Sequence, residues 1–80
     1  MIHIRANNGD FFIEETKILS ISHVLQNTAV RALTEEGVKN IFYLLIETLE
    51  GEFYIEGDYS YLENIRARTL KDIKEIWQSR

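Results

Sequence analysis

Residues 44–58 read LLIETLEGEFYIEGD, and the fold turns on whether this stretch is a helix or a pair of strands. As a helix, Val38, Ile41, Phe42, Leu45 and Leu49 form one stripe that ends at Gly51. Against it stands the density of β-formers in IFYLLIETL (41–49) and EFYIEG (52–57), with Glu50-Gly51 between them as a two-residue turn. The hairpin is preferred. In that register Leu49 faces Glu52, Thr48 faces Phe53, Glu47 faces Tyr54, Ile46 faces Ile55 and Leu45 faces Glu56, and facing residues share a side of the sheet. One side then carries Phe42, Leu44, Ile46, Thr48, Phe53 and Ile55 and is expected to be core. The other carries Ile41, Tyr43, Leu45, Glu47, Leu49, Glu52, Tyr54 and Glu56, where apolar and acidic groups alternate.

Working outward, Ile2, Ile4 and Ala6 alternate with His3 and Arg5 and run into Asn7-Asn8-Gly9-Asp10. Alternation that ends in Asn-Gly signals a hairpin, because both residues tolerate positive φ. Phe11, Phe12 and Ile13 begin the returning strand. Lys17–Val24 (KILSISHV) also alternates, with Leu19, Ile21 and His23 on one face and Ile18, Ser20, Ser22 and Val24 on the other. Residues 22–37 fit two patterns: a helix with Val24, Leu25, Thr28, Ala29, Ala32 and Leu33 at helical spacing, or a strand over Ala29–Leu33 after a turn at Gln26-Asn27-Thr28. Periodicity does not separate them, and the strand is the preferred reading.

Ser60 and Glu63 have the spacing of a capping box, which predicts a helix starting there. Leu62, Ile65, Thr69, Leu70, Ile73, Ile76 and Trp77 fall on one arc of it, and Asn64, Arg68, Lys71, Lys74, Glu75 and Gln78 on the opposite side. The expected fold class is therefore α+β: a mainly antiparallel sheet of about five strands with a C-terminal amphipathic α-helix packed on one face.

Eighty residues are enough for a single domain and one core. The hydrophobic fraction of 45% is too high for a disordered chain. There is no cysteine, which removes disulfides and thiolate metal sites and fits a reducing, cytoplasmic setting. No basic leader precedes a long apolar run, so no targeting or membrane-spanning segment is expected. The net charge is −4, unevenly placed: residues 1–59 hold ten acids and four bases, residues 60–80 three acids and five bases. Contact with nucleic acid would have to come from that C-terminal segment, through Arg66, Arg68, Lys71 and Lys74.

Catalytic signatures are absent. His3 and His23 lie at no metal-binding spacing, with Glu14 or Glu15 as the nearest candidate third ligand. Ser22 and His23 are adjacent in a strand and so point to opposite faces. The acids Glu47, Glu50, Glu52, Glu56 and Asp58 lack the spacing of a calcium loop. Neither a metal, a cofactor nor a small-molecule substrate is expected, and the chain does not read as an enzyme.

What remains is the mixed sheet face. Tyr43, Leu45, Leu49 and Tyr54 offer more apolar area than a small monomer usually exposes, and tyrosines beside aliphatics with an acidic rim are the composition of an interface. Either residues 14–37 fold over this face or a partner covers it. The expected function is a non-enzymatic protein-interaction module or small subunit, self-associating as a homodimer through those four residues. Two alternatives stand beside it. One is a small acidic inhibitor or accessory protein, of the kind a phage or mobile element encodes, on a basic site of a larger protein. The other is weak nucleic-acid binding through the basic helix.

Overall fold

The computed structural model describes residues 1–34 and 37–78, and its longest strand ends in a turn braced by one threonine. The elements in chain order are β1 (Ile2–Ala6), β2 (Gly9–Ile13), a 3-10 turn (Glu15–Lys17), β3 (Ile18–Ile21), β4 (Leu25–Thr34), β5 (Gly37–Thr48), β6 (Gly51–Gly57) and α1 (Tyr59–Gln78). Thr48 Oγ1 donates to the Gly51 carbonyl at 2.8 Å and accepts from the Glu50 amide at 3.1 Å, while the Leu49 amide donates to the Lys17 carbonyl at 3.0 Å. A side chain that bonds its own backbone in this way moves the turn to Leu49-Glu50.

The strand reading of 38–57 holds, but its register differs from the one expected by two residues. Thr48 faces Gly51, Ile46 faces Phe53, Leu45 faces Tyr54 and Leu44 faces Ile55. A slip of two preserves every side-chain face, whereas a slip of one would invert them all. Leu44, Ile46 and Ile55 are accordingly buried with Thr48 on the core side. Gly51 follows the turn at φ 131°, as Gly9 does after Asn7-Asn8 at φ 133°, and no other residue type has positive φ among the described residues. The expected pair of positive-φ residues at Asn8-Gly9 is thus a single glycine, and β2 begins there rather than at Phe11.

Strand β5 organises the main sheet. It pairs antiparallel with β6 along one edge and with β3 and then β4 along the other. Residues 22–37 therefore contribute a strand, longer than the expected Ala29–Leu33, and β4 and β5 continue as a two-stranded ribbon past the end of β6. The ribbon explains the elongated shape: a compact chain of this length has a radius of gyration of roughly 12 Å, and this one has 13.7 Å.

The α+β class holds, an antiparallel sheet with the C-terminal helix packed on it, and the described residues form six strands divided between two sheets where about five in one sheet were expected. The β1–β2 hairpin does not join the main sheet because it is amphipathic and packs by its face. Ile2 pairs with Ile13 and Ile4 with Phe11 on its inner side, while His3, Arg5, Asp10 and Phe12 point outward. Ile4 and Ile13 are buried in the same core as Leu44, Ile46, Ile55, Leu62, Ile65 and Ile73. The tip of this hairpin meets the edge of β6. The Asn8 amide side chain donates to the Tyr54 carbonyl at 2.8 Å and accepts from the Glu56 amide at 3.1 Å, and the Asn7 amide donates to the Glu56 carbonyl at 2.9 Å. An asparagine thus stands in for a neighbouring strand and blunts that edge. Asn8→Ala should lower stability by about 1 kcal/mol, read as a fall of roughly 4–8 °C in the melting midpoint; an unchanged midpoint would mean that water replaces the asparagine at no cost.

Strand β3 departs from the alternation expected of it. Ile18 faces Thr48 and Ser20 faces Glu47, so Leu19 is the extra residue of a β-bulge. Ile18 and Ile21 therefore share the inner side, and Leu19 is 51% exposed instead of sharing a face with Ile21. The helix starts at Tyr59, placing Ser60 inside the first turn and not at the cap; the Leu62 amide bonds the Asp58 carbonyl at 3.0 Å. Leu62, Ile65, Thr69 and Ile73 are buried, whereas Leu70, expected on the docking arc, is 38% exposed. The Trp77 side chain lies outside the described residues. Among the described residues no helix is long and apolar enough to cross a membrane.

Candidate functional site

With the helix and the β1–β2 hairpin on the inner side of the main sheet, its outer side carries Leu25 and Asn27 from β4, Ile41, Tyr43, Leu45 and Glu47 from β5, and Glu52, Tyr54 and Glu56 from β6. Among the described residues, 14–34 do not fold over this face: β3 and β4 lie within the sheet, beside β5. None of Tyr43, Leu45 and Tyr54 belongs to the core cluster, and each is half-buried by its neighbours on the face.

The centre of the face is ordered. The rings of Tyr43 and Tyr54 stack with centroids 5.0 Å apart and planes at 27°. Asn27 Nδ2 reaches across β5 to donate to the Tyr54 hydroxyl at 3.0 Å, tying β4 to β6 over the strand between them. Leu25, 41% exposed, faces Tyr43, and Leu45 faces Tyr54. Tyr43, Leu45 and Tyr54 are thus brought together as the sequence suggests, but Leu49 is not. It sits in the turn, 71% exposed, because the turn falls one residue earlier than expected. Leu25 and Asn27 complete the face and were hidden from sequence reasoning by the ambiguity of residues 22–37.

Burial pushes the Tyr54 phenol above its ordinary value, helped by the Glu56 carboxylate beside it and opposed by the Asn27 bond. A raised folded-state value contributes stability that is complete below the unfolded pKa of about 10 and is lost as pH rises through the higher folded value. The stability difference between wild type and Tyr54→Phe should therefore change as denaturation is measured from pH 8 upward through 11. A constant difference would mean that the phenol is not held in its neutral form by this packing.

The rim is acidic. Glu47 directly faces Glu52, an unfavourable pairing of like charges. Glu56 faces Tyr43. The Ser20 hydroxyl donates to Glu47 at 3.3 Å, and Lys17, beside the turn, pairs with Glu50 and with Glu14, not with the facing pair.

The four bases of the C-terminal helix do not form one surface. Arg66 is half-buried and its Nε donates to the Ser22 carbonyl at 3.0 Å, pinning the helix to the β3–β4 connection. Arg68 lines a depression with Met1, His3, Glu15 and Asp72, while Lys74 borders a separate groove with Leu70 and Ile73. Lys71 is exposed. Among the described residues no ion pair within 4.0 Å joins Arg68 to Asp72 or Lys71 to Glu75.

His3 stacks on Phe12 at 4.4 Å with Asp10 3.8 Å away, and His23 is exposed in the connection between β3 and β4. Among the described residues no three histidine or acidic side chains gather into a possible metal site. No buried polar side-chain atom of the described residues lacks a hydrogen-bond partner. No family model, curated protein or solved structure matches this chain.

Proposed function

We propose that this chain is a non-enzymatic protein-interaction module that pairs with a second copy of itself through the outer face of the main sheet. The observation that supports this is the ordered, uncovered centre of that face: the Tyr43–Tyr54 stack, Leu45 between the strands, and Leu25 opposite Tyr43. Tyrosines held rigid by stacking and by the Asn27 bond give up little conformational freedom on binding, the property of a good interface anchor. A domain of this size buries a modest share of its surface alone and gains from association. Such a module needs no cofactor, and a cysteine-free chain suits the cytoplasm.

Facing glutamates at the rim favour a second reading, in which the face docks on a basic patch of a larger protein, as an acidic inhibitor or accessory subunit does. Salt separates the two. Two copies bring like-charged rims together, so self-association should strengthen as salt screens the repulsion. Binding to a basic surface should weaken instead. Sedimentation at low and high salt therefore tests the proposal, and a dimer that dissociates on adding salt would count against a face-to-face pairing of acidic rims. Nucleic-acid binding gains no support from a helix whose bases are spread over different surfaces.

A further inference from the structure

The two edges of the main sheet are treated differently. The β6 edge is closed by Asn7 and Asn8. The β3 edge is largely open: among the described residues Ile18–Ile21 pair with β5 on one side, and on the other the Ile18 amide bonds the Glu15 carbonyl of the preceding turn while no backbone hydrogen bond holds Leu19, Ser20 or Ile21. Beside that edge runs an apolar groove of about 270 Å³ between β3 and α1. Ile18, Leu19, Ser20 and Ile21 form one wall, and Leu70, Ile73 and Lys74 form the other. The bulge that displaces Leu19 and the exposure of Leu70 leave two large aliphatic side chains at its margins.

We infer that this groove receives an extended peptide from another protein, which adds to the free edge of β3 as a further strand. Strand addition satisfies the open backbone groups, and its two-residue period sends every second side chain of the peptide into the apolar groove. A helical ligand would leave the strand edge unpaired. Charge sets a further requirement. Asp72 and Glu75 lie on the other flank of α1, towards Glu15, so Lys74 is the charged group at this groove. The peptide is thus one with aliphatic residues at alternate positions and a carboxylate placed to meet Lys74. This surface is separate from the outer sheet face, so the inference stands or falls independently of self-association.

The test is selection of phage-displayed random octapeptides on the wild-type protein with Leu70→Asp as the counter-selection. Enriched peptides should alternate aliphatic residues and carry Asp or Glu. Titrated onto nitrogen-15-labelled protein, they should shift the amides of Leu19, Ser20 and Ile21. Leu70→Asp or Leu19→Asp should weaken binding by about tenfold, and Lys74→Glu by about fivefold; Leu19 and Leu70 are exposed, so both aspartate variants keep the core. N-methylating alternate peptide bonds should abolish binding. The inference is overturned if nothing is enriched, if enriched peptides show helical spacing, or if the shifts fall on Tyr43, Leu45 and Tyr54.

Discussion

Leu45→Glu should leave the protein monomeric at every concentration at which the wild type pairs, with its fold intact. Leu45 lies at the centre of the outer face opposite Tyr54 and outside the core, so the monomer loses little when it is replaced. In a face-to-face dimer the new carboxylate would be buried without a partner, and an uncompensated buried charge costs about 3–5 kcal/mol. That corresponds to a dissociation constant raised by roughly two to four orders of magnitude. The check is sedimentation of both proteins together with their circular dichroism. A folded Leu45→Glu protein that still pairs as the wild type does would remove the outer face from the proposal. Glu52→Gln should act in the opposite direction, tightening the pair by lowering the like charge that the rims of two copies bring together.

The second large effect belongs to the core. Leu44 is fully buried and faces Ile55, also fully buried, across the β5–β6 pair. Leu44→Ala removes three carbons from a packed interior, and such changes cost about 2–5 kcal/mol. Against a total of about 5–15 kcal/mol, the melting midpoint should drop by at least about 10 °C. Leu49→Ala should change it hardly at all, since Leu49 projects from the turn into solvent. The contrast tests the register. A Leu49 that matters as much as Leu44 would mean that Leu49 lies within the sheet and the turn at Glu50-Gly51.

The α+β class, the β5–β6 hairpin and the assignment of Leu44, Ile46, Phe53 and Ile55 to one side are legible from the period-two pattern, which survives the two-residue slip. The slip itself was not legible, because it depends on Thr48 bonding its own turn and on the Lys17 carbonyl taking the Leu49 amide, contacts that a strand pattern does not encode. The bulge at Leu19 is similar. Alternation in KILSISHV is regular, and only pairing with β5 shows that Ile18 and Ile21 share a side. Half of the outer face could be read from residues 43–54. Its β4 half could not, since Leu25 and Asn27 fall in a segment whose helical and strand patterns overlap. The groove beside β3 left a trace in hindsight: Leu19 and Leu70 are each a large aliphatic side chain that the core does not absorb.

Sedimentation equilibrium of the wild-type chain over a wide concentration range asks most directly whether the outer sheet face binds a second copy. The expected result is a mass that rises with concentration from 9.4 kDa towards twice that value. A constant 9.4 kDa at all concentrations and salt levels would contradict self-association and leave the face to a different protein.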